Sequence, residues 1–275
     1  MNLEKELNTV DIIFSVDNAS TPPPLFNQLF TLKFTNSFSV SHINARSLNK
    51  NFDDFRLLYE NCIEGKFQII GVSETWRINN PNLVNMPTYS LELDCRTHGR
   101  GGGVGAYIHS SLSYKILNFD VKHAESLWME IAGKKNRIVI GVLYRKPGTD
   151  ISEFEISLCN VLCKVKLEKK HFILMGDFNI DTMKSDTISK NFISRMQCLH
   201  LNQLISVTTR ISNNSASTID HIYTNICSCK IYAGTIIADL SDHFPVFSLF
   251  EHFNIHFPIV NSIYSRDFKN YKRDS

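Results

Sequence analysis

The sequence predicts a layered α/β body, and three observations carry that reading of the 275-residue chain. Short β-rich runs recur through its middle, several of them continuously apolar, as suits strands of a sheet covered on both faces. A few amphipathic helical stripes lie among these runs, too few for a helical bundle and too regular for an all-β barrel. The chain is 43% hydrophobic with 19 Phe, enough to build one large core, which excludes disorder as its general state.

In chain order, candidate strands fall at residues 38–43, 67–73, 104–109, 126–131, 137–144, 171–176, 219–224 and 245–250. The clearest helix covers 152–166. Its stripe is Ile151, Phe154, Leu158, Val161, Leu162 and Val165, and Asp150 with Glu153 forms a candidate capping box. A shorter helix uses Phe52, Phe55, Leu58 and Cys62, and a third spans about 187–199. Residues 1–37 contain Pro22, Pro23 and Pro24 and no sustained period, so they are expected to form a leader. Residues 251–275, rich in Asn, Tyr, Lys and Arg, are expected to be a tail or the start of a linker. One domain at 38–250 lies between them, with no internal repeat.

Charge selects no partner: 29 basic residues against 27 acidic leave +2. No apolar run approaches the ~20 residues of a membrane helix, so no membrane association is expected. The N-terminus lacks the basic and apolar segments of a secretory signal, and seven Cys read as reduced thiols of an intracellular protein. Gly101-Gly-Gly103 lacks the Gly-Lys-Ser/Thr ending of a phosphate-binding loop, and no Ser stands in a Gly-x-Ser-x-Gly elbow. Nucleoside-triphosphate and serine-hydrolase chemistry therefore recede. Cys227-Ser-Cys229 and the Cys159/Cys163 pair lack zinc-site partners and read as structural.

Polar groups stand at the ends of the predicted strands: Asn44, Glu74, Tyr144, Asp177 with Asn179, Asp220, and Asp242 with His243. Each alone has a bland explanation, such as a helix cap at Asn44 or a turn at Gly176-Asp-Phe-Asn179. Together they place carboxylates, amides and an imidazole directly after apolar strands, where a sheet delivers side chains to a common rim. A hard divalent cation takes oxygen ligands and keeps several waters, so one or two carboxylates such as Glu74 suffice to hold Mg²⁺ against a phosphate. The set matches phosphodiester chemistry.

Seven segments in order carry a family resemblance: Asn44-Ala-Arg-Ser-Leu, Ser73-Glu-Thr-Trp, Gly102-Gly-Val-Gly-Ala-Tyr-Ile, Tyr144-Arg-Lys-Pro, Gly176-Asp-Phe-Asn, Thr218-Ile-Asp-His-Ile-Tyr-Thr-Asn and Ser241-Asp-His-Phe-Pro-Val. The chain resembles the endonuclease/exonuclease/phosphatase superfamily over about 38–250. Its wording is most similar to the apurinic-type endonuclease domain of non-LTR, LINE-type retrotransposons, where that domain precedes a reverse transcriptase.

The resemblance implies a four-layer, deoxyribonuclease I-like sandwich of two packed mixed β-sheets flanked by helices. It implies Mg²⁺, with Mn²⁺ as a substitute, held by Glu74 with Asn44 and Asp242 nearby. Asp177 would orient or deprotonate the attacking water with help from Asn179, and Asn44 would serve the reaction as well as the metal. His243 would contact the scissile phosphate, steadied by Asp220, and Tyr144 would sit beside the phosphate or leaving oxygen. DNA contact is expected from Arg77, Arg100, Arg145, Lys146 and Arg210, with Lys50 and Arg96 in further predicted connections.

Two departures refine this. Repair-type apurinic endonucleases carry an acid where Arg46 stands, which removes or moves a metal contact and weighs against abasic-site cleavage. Inositol-phosphate phosphatases carry Arg-Leu and Cys-Asp-Arg signatures where Ile180-Asp-Thr and Ile219-Asp-His-Ile stand here, which weighs against a lipid head group. The expectation is a DNA endonuclease that nicks one strand and leaves a 3′-hydroxyl, acting as a monomer in the nucleus. The alternatives are an inactive remnant that binds nucleic acid, or a phosphatase or phosphodiesterase on the same fold. No polymerase domain is expected within this chain.

Overall fold

The computed structural model describes residues 12–14, 37–62, 67–94, 101–132, 137–167, 170–212 and 215–253. In chain order its strands are β1 Ile12–Phe14, β2 Phe38–Asn44, β3 Ile69–Ser73, β4 Tyr89–Asp94, β5 Val104–His109, β6 Tyr114–Leu117, β7 Ala124–Ala132, β8 Arg137–Arg145, β9 His171–Asp177, β10 Asn202–Gln203, β11 Arg210–Ser212, β12 Ser215–Ser217, β13 Asp220–Thr224, β14 Ile231–Ile236 and β15 Val246–Phe250. Seven strands form one sheet in the order β1-β14-β15-β2-β3-β5-β4, and six form the other as β10-β13-β9-β8-β7-β6. Both are mixed: β2–β3 and β8–β9 run parallel, and the remaining pairs are antiparallel. Three residues of the expected leader, Ile12–Phe14, extend the first sheet by pairing with β14.

Alternation along the strands separates two kinds of apolar contact. Phe38, Val40 and Ile69 from one sheet meet Ile138, Ile140, Val142, Ile173, Met175 and Ile222 from the other, forming the layer between the sheets. The opposite faces turn outward: Ile43, Ile70, Val72 and Phe247 pack with Phe55, Leu58 and Tyr59. On the far side Val139, Leu143, Phe172 and Leu174 pack with Phe154, Leu158, Val161, Phe192 and Met196. This is the four-layer, deoxyribonuclease I-like sandwich that the resemblance implied. Gly71 lets the sheets approach, since a Cβ there would lie 3.1 Å from both Met175 and Val142.

Helices form where their stripes predict. Ile151–Leu167 starts as Asp150 Oδ1 accepts the Glu153 backbone N–H at 2.9 Å. The capping box is half made, because the Glu153 carboxylate reaches His123 Nε2 at 2.6 Å and Lys122 at 2.8 Å. Thr187–Cys198 is capped by Asp186. The first helix is α over Phe52–Arg56 and widens to a π-turn over Leu57–Cys62. Among the described residues no helix is long and apolar enough to cross a membrane.

Gly141 tests the packing of the helix-facing side of the second sheet. A Cβ there would stand 2.6 Å from Trp128 Cζ3 and 2.9 Å from Leu174 Cδ1. Gly141→Ala is expected to destabilise the fold by about 1–3 kcal/mol, the usual range for overpacking a filled core. Urea unfolding monitored by tryptophan fluorescence reads this as a lower midpoint.

Candidate active site

The inward phase that fills the centre with apolar groups ends in polar ones. On β2 it runs Phe38, Val40, His42, Asn44; on β8, Ile138, Ile140, Val142, Tyr144; on β9, Ile173, Met175, Asp177. Register aligns Tyr144 and Asp220 on either side of Asp177, and Asn44 beside Ser73. Asn44 then crosses between the sheets, its Nδ2 donating to Asp177 Oδ2 at 2.8 Å. Five predicted residues, Asn44, Tyr144, Asp177, Asp220 and His243, are thus buried at one end of the inter-sheet layer.

Two buried carboxylates side by side cannot both carry charge without compensation. Burial first, then Asp220, pushes the Asp177 carboxyl up to about 7, against the His243 charge and the hydrogen bonds from Asn44 and from the Asn179 backbone N–H at 2.9 Å. Asp220 moves the other way. Its burial is outweighed by His243, whose Nδ1 lies 2.8 Å from Asp220 Oδ2, and its pKa falls. Burial opposes charge on His243 as well, but Asp220, Asp177 and Asp242 outweigh it and raise the imidazole to about 9. The pair at neutral pH is therefore imidazolium–carboxylate.

Asp177, Asp220 and His243 bring ligand atoms within 4.8 Å of one another. A protonated imidazole bound to Asp220 is a poor metal ligand, however. The better cation position lies on the other side of Asp177. There Asn44 Nδ2 also donates to Glu74 Oε1 at 2.9 Å, so two carboxylates converge on a single amide. Glu74 is fixed by Trp76 Nε1 at 3.2 Å and by a left-handed backbone at φ 49°. The glycine loop supports it: Trp76 N–H donates to the Gly102 carbonyl at 2.8 Å, and the Gly103 N–H donates to Glu125. A Cβ on Gly103, at φ 86°, would fall 2.4 Å from Thr75 Oγ1.

The remaining predictions separate. Asp242, expected near the metal, has both oxygens engaged by arginines: Arg46 Nη1 on Oδ1 and Arg210 Nε on Oδ2, each at 2.8 Å. Arg145, expected to face DNA, is corrected by its burial at the end of β8. Its guanidinium donates to the Phe178 carbonyl at 2.6 Å and the Asn179 carbonyl at 2.9 Å, and lies 5.9 Å over the Phe154 ring. It positions the Asp177–Asn179 turn from within. The Asn179 amide is likewise turned inward, donating to the Arg145 carbonyl at 2.9 Å. Arg77 and Lys50 are exposed; Lys146 lies 3.8 Å from Glu125. Arg96 and Arg100 lie outside the described residues.

Sequence reasoning missed several supporting groups. His42 is fully buried, and burial pushes its pKa down to about 4. Its Nδ1 lies 3.8 Å from Asp220 Oδ1, and its Nε2 lies 3.2 Å from Ser73 Oγ. Its spacing of two before Asn44 was the available signal. Thr209 Oγ1 accepts the Asp220 backbone N–H at 3.1 Å, and Ser241 Oγ donates to the Asn44 carbonyl at 2.8 Å. Nothing in the local sequence marks Thr209, whereas Ser241 opens the Ser241-Asp-His-Phe-Pro-Val motif.

The two-sheet sandwich thus carries a cluster of acids, an amide and an imidazole at one end of its inter-sheet layer. The family model for the endonuclease/exonuclease/phosphatase family matches residues 40–243, and the chain belongs to that family, whose members are hydrolytic enzymes. Comparison with curated protein sequences gives no match. Solved structures share the fold. AP endonuclease LMAP from Leishmania major aligns with a TM-score of 0.63 at 15% identity over 79% of this chain and 89% of that one. The endonuclease domain of TRAS1, a telomere-specific non-LTR retrotransposon, gives 0.60 at 14% over 78% and 98%. ANGEL2, a 2′,3′-cyclic phosphatase, gives 0.55 at 13% over 81% and 97%.

The imidazolium assignment has a direct readout. In the metal-free protein, the His243 ring resonances are expected to titrate at about 9, staying charged below that pH and losing the proton above it. Asp220→Asn removes the facing charge and should lower the midpoint by about 1–3 units. A His243 midpoint near 6.5 in both proteins would contradict the pair.

Proposed function

We propose that the chain is a divalent-metal-dependent DNA endonuclease that hydrolyses one phosphodiester bond and leaves a 3′-hydroxyl, the nick from which a non-LTR retroelement primes its copy. The observation that carries the reading is the shared Asn44 amide. It ties buried Asp177 to Glu74 on one side of a seam whose other side holds the His243–Asp220 pair. Support also comes from the ordered motifs, including the Asn44-Ala-Arg-Ser-Leu wording of the retroelement branch.

A hard divalent cation such as Mg²⁺ fits the residues present, because the Glu74 and Asp177 carboxylates are oxygen donors that converge at the Asn44 amide. When bound, the ion would offset negative charge on the phosphate oxygens. The chain's own groups do the rest. Asp177, held by Asn44 and the Asn179 N–H, accepts the proton of the attacking water, for which a carboxyl raised toward neutrality is suited. His243 has Nδ1 on Asp220 and presents Nε2–H to a phosphate oxygen, so the imidazolium meets the charge that grows during attack. Tyr144, in register beside Asp177, flanks the leaving oxygen. Arg77, Lys50, Lys146 and Arg210 supply backbone contacts to DNA, whose nuclear form is the substrate in this reading.

Supercoiled plasmid tests the proposal. With Mg²⁺ the protein is expected to give open circles, with EDTA none, and Asp177→Ala and His243→Ala should each slow nicking by about 10²–10⁴-fold. Equal relaxation by both variants, or phosphate release with the plasmid intact, would sink the assignment. Gly103→Ala, by pushing on the Thr75 loop that carries Glu74, should raise the Mg²⁺ concentration for half-maximal nicking about 10–100-fold, as for other groups that orient metal ligands.

A further inference from the structure

Arg46 and Arg210 come from distant segments, the loop after β2 and the start of the β11–β12 hairpin, and both close on Asp242. Each arginine takes one oxygen of that carboxylate at 2.8 Å. The neighbouring main chain is tied as well. The Ile211 N–H donates to the Asp242 carbonyl at 3.1 Å, the Phe244 N–H to the Thr209 carbonyl at 2.7 Å, and Arg210 bridges His243. On the other arm, the Arg46 N–H donates to Asn44 Oδ1 at 3.1 Å, and Arg46 holds a left-handed backbone at φ 42°. One arm therefore begins at the amide that joins Glu74 and Asp177, and the other at His243.

Two guanidiniums on one carboxylate leave a net charge of +1 in the triad. The Arg46 side chain is 50% exposed and that of Arg210 34%, against 20% for Asp242. The positive ends thus face water while the acid sits behind them. A guanidinium has five N–H donors in a planar fork, and one contact to Asp242 leaves others for a phosphate.

We propose that Arg46, Asp242 and Arg210 form a two-armed phosphate clamp that grips the DNA backbone beside the scissile bond. Asp242 is a positioning residue that pre-orients both arms and takes no part in holding the metal. The clamp rests on the endonuclease reading and deepens it. It also gives Arg46 a use: the position that carries an acid in repair-type relatives here carries a cation directed at substrate.

Fluorescence anisotropy with a short DNA duplex in EDTA measures the grip without metal or cleavage, and Mn²⁺ binding followed by electron paramagnetic resonance measures the metal side. Arg46→Ala should weaken duplex binding about 10–100-fold, as for loss of hydrogen bonds to a charged group. It should also lower the slope of log affinity against log salt by about one. Arg46→Lys should restore the slope and only part of the affinity, because it keeps the charge without the fork. Asp242→Asn should leave the Mn²⁺ dissociation constant within about twofold, whereas loss of a true ligand or its support costs about tenfold or more. Unchanged duplex affinity and salt slope in Arg46→Ala, with the wild type still nicking plasmid, overturns the clamp alone; so does a tenfold loss of Mn²⁺ affinity in Asp242→Asn. A wild type that neither binds nor nicks DNA overturns the endonuclease reading and removes the clamp's ligand with it.

Discussion

Asp177 and Asp220 lie opposite each other in antiparallel register on β9 and β13, both buried. Repulsion between two carboxylates in such a place is the constraint to which the rest of the rim answers. The strands place them there because the inward phase that buries Ile173, Met175 and Ile222 continues to the ends of the same strands. The answer is asymmetric. Asp220 is paired directly with the His243 imidazolium and stays ionised, while Asp177 feels that charge without bonding to it, and burial with the Asp220 charge pushes it toward neutrality. Pairs of acids whose environments drive them apart are how one site holds both a base and a fixed counter-charge.

Every neighbour of this pair has a place in that arrangement. Asn44 crosses the inter-sheet gap to Asp177 and joins it to Glu74, so the two sheets are tied together at the candidate site. His42, kept neutral by burial, faces the remaining Asp220 oxygen at 3.8 Å. Arg145 holds the turn beyond Asp177 through two carbonyls. Non-glycine residues with positive φ gather at the same end, among them Arg46, Ser47, Glu74, Trp76 and Asn179. Such conformations cost of order 1–3 kcal/mol each where they fall in sparsely populated regions, and persist where surrounding contacts over-determine them.

The sandwich and its central strands were legible because buried sheets write themselves as apolar runs, and β5 runs over the residues expected of it. Edge strands were not: β4 and β6 have half-exposed patterns without a strong period, and the short β11–β12 hairpin is mostly polar and exposed. At the site, the strand-end acids and His243 were readable because their chemistry has few uses in one row. Arg145 misled because a basic residue after a strand suggests a surface loop, whereas β8 continues one residue further and buries it. The Arg46–Asp242–Arg210 contact joins residues 196 and 32 positions apart, a distance that only the folded chain closes.

In the proposed reaction labour divides across Asp177, with the cation on the Glu74–Asn44 side and a metal-free imidazolium–carboxylate pair on the other. Mn²⁺ binding by Glu74→Gln and Asp220→Asn, compared with the wild type by electron paramagnetic resonance, tests that division most directly. The division predicts that Glu74→Gln loses affinity by about tenfold or more while Asp220→Asn retains it within about twofold. The reverse result, with affinity lost in Asp220→Asn and kept in Glu74→Gln, would place the metal in the Asp177–Asp220–His243 cluster and contradict the account.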